Sequence, residues 1–211
     1  MKQIFRYDNG RAVSPVVGVM LMLVVTIIIA AVVSAFAGGL SGDTKKAPQS
    51  VIDADIKYQM TNSMKMVITN VNFRLLSGDP LITKDLSIIT YYTNSSGITL
   101  KHEQTATSPV TDLNAGTPYS ATTYNSRVPC NFNLENGRPT DPRQHFGNYT
   151  WLVGDTITSY DDAGTAALLG MSGTWDGSLL DPDLKPGSIV DIKILHKPSN
   201  KILFDKEVVV T

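Results

Sequence analysis

The feature that most constrains this chain is an apolar run near its N-terminus. Residues 12–42 contain no Asp, Glu, Lys or Arg. A helix needs about 20 apolar residues to cross a bilayer core of roughly 30 Å, and this run is longer. Ser14 suits an N-cap, Pro15 suits the first helical turn, and Gly38 and Gly39 suit the C-terminal end. The sequence therefore predicts a membrane-spanning helix.

The charges on either side of the run predict its orientation. Residues 1–11 carry three basic side chains and one acidic one, whereas residues 43–211 carry a small acidic excess. Basic residues mark the cytoplasmic side of a membrane helix. We therefore expect the N-terminus to lie in the cytoplasm and the residues after the helix to lie outside the cell.

Two simpler interpretations of the apolar run stay open. A cleaved secretory signal peptide also has a basic start and an apolar centre, and Ala35-Phe36-Ala37 resembles its small-residue cleavage site. The apolar centre of such a peptide spans about 7–15 residues, and Val16–Val33 alone is longer. The second alternative is a membrane anchor that has no further role.

The segment after the helix shows the period of β-strands. In Val51–Met60 the side chains of Ile52, Ala54, Ile56 and Tyr58 fall on one face. Further strands are predicted over Lys65–Thr69, Leu86–Thr93, Gly97–His102, Ser188–His196 and Ile202–Val210, with a turn over Lys197–Lys201 and several short strands within 104–187. Short strands separated by turns are typical of a sandwich. The expected fold class is α+β, a long hydrophobic helix followed by an all-β, sandwich-like domain.

The composition argues against several functions. Lys and Arg number 18 against 19 Asp and Glu, whereas a nucleic-acid-binding protein that works by bulk charge has a basic excess. His102, His145 and His196 lack metal-ligand spacing such as HExxH. The single cysteine, Cys130, permits neither a usual zinc site nor an internal disulfide, and we expect it to be buried. We predict no enzyme, no cofactor and no metal.

Acidic residues are concentrated in the second half of the chain. One stretch, residues 155–183, contains six of them: Asp155, Asp161, Asp162, Asp176, Asp181 and Asp183. Their oxygens could bind calcium, but the loop spacing of an EF-hand is missing. We interpret these residues as solvated loop acids.

The start of the apolar run shows a specific resemblance. Residues 11–22 read RAVSPVVGVMLM, and residues 24–31 continue as VVTIIIAA. This segment closely resembles the start of archaeal type IV pilin precursors. Lys185-Pro186-Gly187 and residues 196–199 (HKPS) also look like the end of such exported domains. The resemblance covers about 30 of the 211 residues.

The resemblance implies processing by a prepilin peptidase, which would cut on the cytoplasmic side of the helix. Carried over to this sequence, the cut falls between Arg11 and Ala12, with Gly10–Arg11 as the alternative. Bacterial pilins usually have a glutamate five residues into the mature chain, where this sequence has Val16, and this departure fits the archaeal pattern. The chain then divides into a cytoplasmic leader (1–11), a transmembrane or filament-core helix (12–40), a linker (41–50) and an extracellular domain (51–211).

Small residues recur along the apolar run. Gly18, Thr26, Ala30 and Ser34 belong to a stripe with a four-residue period, which also includes Met22 and Gly38. Small side chains let helix backbones approach closely where no water drives them together. The sharper interpretation is that this stripe packs against neighbouring helices, and the simpler one is that a long apolar helix contains small residues by chance.

The sequence also contains two glycosylation sequons, which matter only for an exported domain. They begin at Asn94 (NSS) and Asn148 (NYT). Glycans there would help to keep exposed strand edges from pairing with other chains.

These observations predict a structural subunit of an archaeal type IV pilus-like filament that serves surface adhesion or cell–cell contact. The expected partners are the membrane, identical or related pilin subunits, a prepilin peptidase with the pilus assembly machinery, and external surfaces or glycans. The chain would lie in the cell membrane before assembly and in the extracellular filament afterwards. The alternatives are a membrane-anchored β-domain that does not polymerise, such as a minor pilin or a binding module, and a secreted domain released by signal cleavage.

Overall fold

The computed structural model describes residues 15–39, 46–60, 67–113, 125–131, 141–171 and 184–211. The chain forms two compact units, Met1–Thr44 and Lys45–Thr211. The predicted leader with its cleavage site at Arg11 and Ala12 lies outside the described residues, as do Asp176, Asp181 and Asp183.

The first unit contains one long helix, α1, over Pro15–Gly39. Its 25 residues extend about 37 Å, since each helical residue rises about 1.5 Å. Pro15 is the first helical residue and Gly39 is the last, as predicted. The fixed φ of proline suits the first turn, and a glycine ends a helix at little cost.

The second unit consists mostly of antiparallel strands. Their bounds are β1 Ser50–Met60, β2 Val67–Gly78, β3 Leu81–Ile82, β4 Leu86–Thr93, β5 Thr99–Thr105, β6 Thr111–Asp112, β7 Asn125–Ser126, β8 Cys130–Asn131, β9 Thr150–Trp151, β10 Thr156–Thr158, β11 Ile189–His196 and β12 Lys201–Val209. Short 3-10 turns lie at Thr83–Asp85, Pro142–Gln144 and Lys197–Ser199.

The described strands form two four-stranded sheets and two short pairs. The first sheet has the order β1-β2-β10-β8 and the second has the order β12-β11-β4-β5, while β3 pairs with β9 and β6 with β7. Side chains of both large sheets join one hydrophobic core, in which Ile56 and Phe73 come from the first sheet and Ile88 and Ile194 from the second. The unit is therefore a sandwich, and the α+β prediction is confirmed.

The C-terminal hairpin shows the predicted alternation most clearly. Val190, Ile192 and Ile194 of β11 are fully buried, while Lys193 points outward and pairs with Asp205 of β12 at 2.7 Å. An exposed face that carries charges and an inner face that carries aliphatic side chains fix the register of a strand. The prediction of a hairpin at the end of the chain is confirmed.

One short helix departs from an all-β domain. The helix α2 spans Asp162–Leu169, within the region where the sequence predicted only turns and short strands. Asp161 caps its start by accepting a hydrogen bond from the Gly164 N–H at 2.9 Å. Gly170 ends it in the left-handed conformation, at φ 70°, which a glycine adopts without strain.

The strand directions define two ends of this unit. β1 begins and β2 ends where Ser50 pairs with Gly78. β1 and β12 run parallel where Ile56 bridges Val210, so β12 begins at the same end as β1. We call this the linker end, because it carries residues 46–50, and we call the opposite end the far end.

Backbone hydrogen bonds join β1 to the residues after β12. The Tyr58 N–H donates to the Thr211 carbonyl at 2.8 Å, and the Thr211 N–H donates to the Ile56 carbonyl at 3.0 Å. β1 also pairs with β2 along its whole length. It is therefore hydrogen-bonded on both sides near the far end.

Candidate assembly helix and domain surface

The helix α1 is apolar on every face. The large hydrophobic side chains from Val16 to Phe36 are all exposed, from 44% at Val25 to 74% at Met22. A helix that is hydrophobic all round belongs in a membrane or among other apolar helices. Pro15–Phe36 is long and apolar enough to cross a bilayer. Within its own chain, the described part of the helix has no cover.

The predicted stripe of small residues lies within this helix. The Thr26 hydroxyl donates to the Leu23 carbonyl at 2.9 Å, so its polar atom is satisfied inside the helix and does not oppose an apolar environment. No atom lies within 4 Å of the place where a Cβ on Gly18 would sit. No contact within the described chain therefore requires a glycine there. The role of Gly18, Thr26, Ala30 and Ser34 in packing stays a prediction.

The histidines and the cysteine occupy structural positions. His102 lies in β5, His145 follows the 3-10 turn at Pro142–Gln144, and His196 ends β11, where its Nδ1 hydrogen-bonds with the Ser199 hydroxyl at 2.7 Å. Among the residues that the structure describes, no three His, Cys, Asp or Glu side chains are placed to hold a metal ion. Burial raises the pKa of Cys130 to about 12, so its thiol is protonated at neutral pH and a poor nucleophile.

The three described acids of the acidic region have structural partners. Asp155 accepts hydrogen bonds from the Asn131 amide at 3.1 Å and from the Leu152 N–H at 3.2 Å. Asp162 accepts one from the Thr69 N–H at 2.5 Å, and Asp161 caps α2. These carboxylates hold turns and an α2 contact in place, so their interpretation as solvated loop acids was wrong.

Among the acids that the structure describes, Asp161 has the carboxyl pKa that the fold raises most. Burial raises the pKa of its carboxyl to about 7, the hydrogen bond from Gly164 opposes this shift, and the negative charges of Asp162 and Asp112 add to it. The ionised form is therefore less favourable in the folded domain than in the unfolded chain.

We expect the C-terminal unit to lose stability as the pH rises towards about 7. Below that pH the folded domain holds a proton on Asp161 that the unfolded chain, with a carboxyl pKa near 3.8, has released. The free energy of unfolding should fall by up to about 1.4 kcal/mol per pH unit across this window. Asp161→Asn keeps a capping oxygen but cannot ionise, so it should remove this contribution and raise the Tm at about pH 8.

Thermal unfolding of residues 43–211, followed by circular dichroism from about pH 4.5 to about pH 8.5, measures this slope. Asp161→Ala is the matched control, because it also removes the ionisable group but loses the cap, at a cost of about 1 kcal/mol. A variant Asp161→Asn that keeps the wild-type slope would assign the pH dependence to other groups.

Both predicted glycosylation sites lie in described loops. Asn94 is in the turn between β4 and β5, where its Oδ1 accepts hydrogen bonds from Ser96 N at 3.1 Å and Ile98 N at 2.9 Å. Asn148 is exposed, and its Nδ2, the atom that a glycan would modify, donates to the Pro142 carbonyl at 2.8 Å. Modification of Asn148 therefore requires a change in this hydrogen bond.

The N-terminal segment is similar to a known protein family. Residues 11–52 match the family model described as archaeal type IV pilin, N-terminal, which covers all of α1 and the start of β1. No curated protein matches the chain. Members of this family are structural subunits that assemble into pilus filaments, not enzymes. The match and the charge-free, exposed helix agree, and the N-terminal segment of this chain is similar to that of archaeal type IV pilins.

Proposed function

We propose that this chain is a structural subunit of an archaeal type IV pilus-like extracellular filament that serves surface adhesion or cell–cell contact. The observation that supports this most directly is α1, which lies within the pilin match and exposes apolar side chains on every face. Lipid would cover this helix before assembly, and the helices of other subunits would cover it afterwards. The second unit has its own hydrophobic core and would form the outer surface of the filament.

We further propose the division of the chain that its charges suggest. Residues 1–11 would be a cytoplasmic leader, 12–40 the filament-core helix, 41–50 a linker and 51–211 the extracellular domain. The basic leader supports a cytoplasmic N-terminus. With the domain outside the cell, Asn94 and Asn148 become available as glycan sites, and external surfaces become its contact partners.

Processing gives the first test of this proposal. A prepilin peptidase that cuts between Arg11 and Ala12 would leave a mature chain that begins at Ala12 and retains α1. We expect Arg11→Asp to block this maturation without blocking membrane insertion, because Lys2 and Arg6 still mark the cytoplasmic side. Mass spectrometry of the N-terminus of the membrane-bound protein measures the outcome.

Arg11→Lys is the matched control for that variant, since it keeps the positive charge before the cut. A mature terminus at Arg11 would move the scissile bond to the Gly10–Arg11 alternative. A terminus at Gly38 would contradict the pilin proposal, because the helix would then have been removed with a secretory signal peptide.

Electron microscopy of the cell surface tests the filament itself. Cells that lack this chain should lose a class of filaments, and the wild-type gene should restore both the filaments and the attachment of cells to a surface or to one another. Processed protein in the membrane without any filament would instead support the non-polymerising, membrane-anchored domain. Filaments without any effect on attachment would contradict the adhesive role alone.

A further inference from the structure

Six large apolar side chains are exposed around the linker end of the C-terminal unit. They are Val51, Leu76, Ile82, Leu152, Val153 and Ile202, and each is 49–54% exposed. We call these six residues the linker-end patch. Apolar side chains scattered singly over a surface need no explanation, but a group of them marks a site of interaction.

Two neighbouring grooves connect three members of this patch. Val51 and Ile202 line one groove of about 490 Å³ together with Pro48. Pro48 also lines the neighbouring groove, which contains Ile82 and Pro80. The patch is therefore a continuous surface from β12 across the start of β1 to β3.

The remaining members are held beside it by the backbone. A bulge in the β1–β2 pairing places Val51 opposite Ser77 and Ile52 opposite Leu75, so Leu76 is the additional residue between them. The turn that carries Leu152 and Val153 is fixed where the Gly154 N–H donates to the Leu75 carbonyl at 2.8 Å. These side chains are exposed on an ordered scaffold, and a partner could cover them without reorganising it.

We propose that the linker-end patch binds the C-terminal turns of α1 from a second copy of this chain in the filament. This inference rests on the proposed filament function. At about 37 Å, α1 is longer than the roughly 30 Å core of a bilayer. Its last turns still carry Val33 and Phe36, which are 59% and 67% exposed. In the proposed filament these side chains leave the lipid and need another apolar partner.

The chemistry and the connectivity of the two surfaces fit each other. The C-terminal turns of α1 carry no charge, and the patch members are aliphatic. Only residues 40–45 separate the end of α1 from residue 46 at the linker end, so the patch directly follows the assembly helix along the chain. A contact between two different surfaces of identical copies continues as an open helical filament when the rotation between the copies does not close into a ring. The patch therefore suits a growing polymer.

Photo-crosslinking in the full-length chain tests the contact. A photoreactive amino acid at Ile202, in cells that make filaments, should yield a species of twice the subunit mass. Peptide mapping should place the adduct in residues 32–39 of the second copy. The same amino acid at Ile98, which is 58% exposed in the far-end turn between β4 and β5, should give no adduct with that segment.

Substitution tests whether the contact matters for assembly. The double variant Ile202→Ser, Leu152→Ser should reduce surface filaments by about tenfold or more, while Ile98→Ser should not, and both should keep the wild-type Tm. Suppose that filaments form but the crosslinker at Ile202 reacts only with lipid, or only with another segment of the second copy. That result would overturn this inference and leave the proposed function intact. Wild-type cells without filaments would overturn both.

Discussion

Ile194→Asp is expected to remove most of the stability of the C-terminal unit. Ile194 is fully buried in β11 and lies between two buried neighbours across the strands, Phe204 in β12 and Ile88 in β4. A carboxylate at this position would have no partner in an apolar core, at a cost of several kcal/mol. Because a domain of this size has a stability of only about 5–15 kcal/mol, most of that stability would be lost.

Residues 43–211, produced without the helix, provide the material for this measurement. We expect this fragment to be soluble, rich in β-structure and monomeric, since it lacks α1, through which the proposed filament would assemble. Ile189→Asp is the matched control, because Ile189 lies in the same strand but is 51% exposed. Its free energy of unfolding in urea should change by about 0.5 kcal/mol or less. If both variants lowered the free energy of unfolding equally, burial of the side chain would not explain the loss of stability.

A second large effect is expected for Ala30→Leu, and it concerns filament assembly. Leucine is at least as apolar as alanine, so membrane insertion and leader cleavage should continue. The added bulk at the small-residue stripe would separate neighbouring helices and remove their dispersion contacts. We expect processed subunits to accumulate in the membrane while surface filaments fall by about tenfold or more.

Val25→Leu is the control for this variant. Val25 lies in the same helix but outside the stripe of Gly18, Thr26, Ala30 and Ser34, so its enlargement should be tolerated. Electron microscopy and immunoblots of sheared and membrane fractions would separate assembled from unassembled subunits. Normal filaments from Ala30→Leu would exclude this stripe as the packing face, though not the pilin assignment.

The parts of the fold that the sequence predicted are those with strict local periodicity. The helix α1 consists of a single apolar run that ends at a glycine pair, and β11 alternates charged and aliphatic residues. β4 was predicted with its observed bounds, Leu86–Thr93, because β-branched and aromatic residues follow one another there. In these segments, the local pattern and the tertiary burial agree.

The prediction was less complete where polar residues interrupt a strand. The segment Lys65–Thr69 was predicted, whereas β2 continues to Gly78. Asn70 and Asn72 weaken the strand signal, although they alternate with the buried Val71 and Phe73. The Asn72 amide donates to Asp55 on β1 at 3.1 Å. A cross-strand partner therefore compensates for the low strand propensity of asparagine.

The helix α2 shows a different reason for a missed element. Its eight residues are too few for a helix to be stable by propensity alone. The fold supplies the rest: Leu168 is fully buried and its carbonyl accepts a hydrogen bond from Thr90 at 3.0 Å. The signals that could have indicated it are local, namely Asp161 as an N-cap and Gly170 as a stop.

The two parts of the candidate site also differ in how far the sequence alone predicts them. A charge-free run and the SPVVG segment lie within residues 12–42, so the assembly helix could be predicted from the sequence. The linker-end patch could not be, since Val51, Ile82 and Ile202 come from three separate strands. Their common exposure at one end follows from the strand directions and the register, which only the folded unit shows.

The hydrogen bonding of β1 has a mechanical consequence. In a filament under tension, force would reach the C-terminal unit through the linker and would pull on Ser50 along the axis of β1. Strand hydrogen bonds lie across that axis, so the ladder with β2 and the bonds to Thr211 near the far end would be sheared together. These hydrogen bonds would have to break as a group and not one after another. A subunit held in this way would resist a sustained pull much better than one whose first strand could be peeled away.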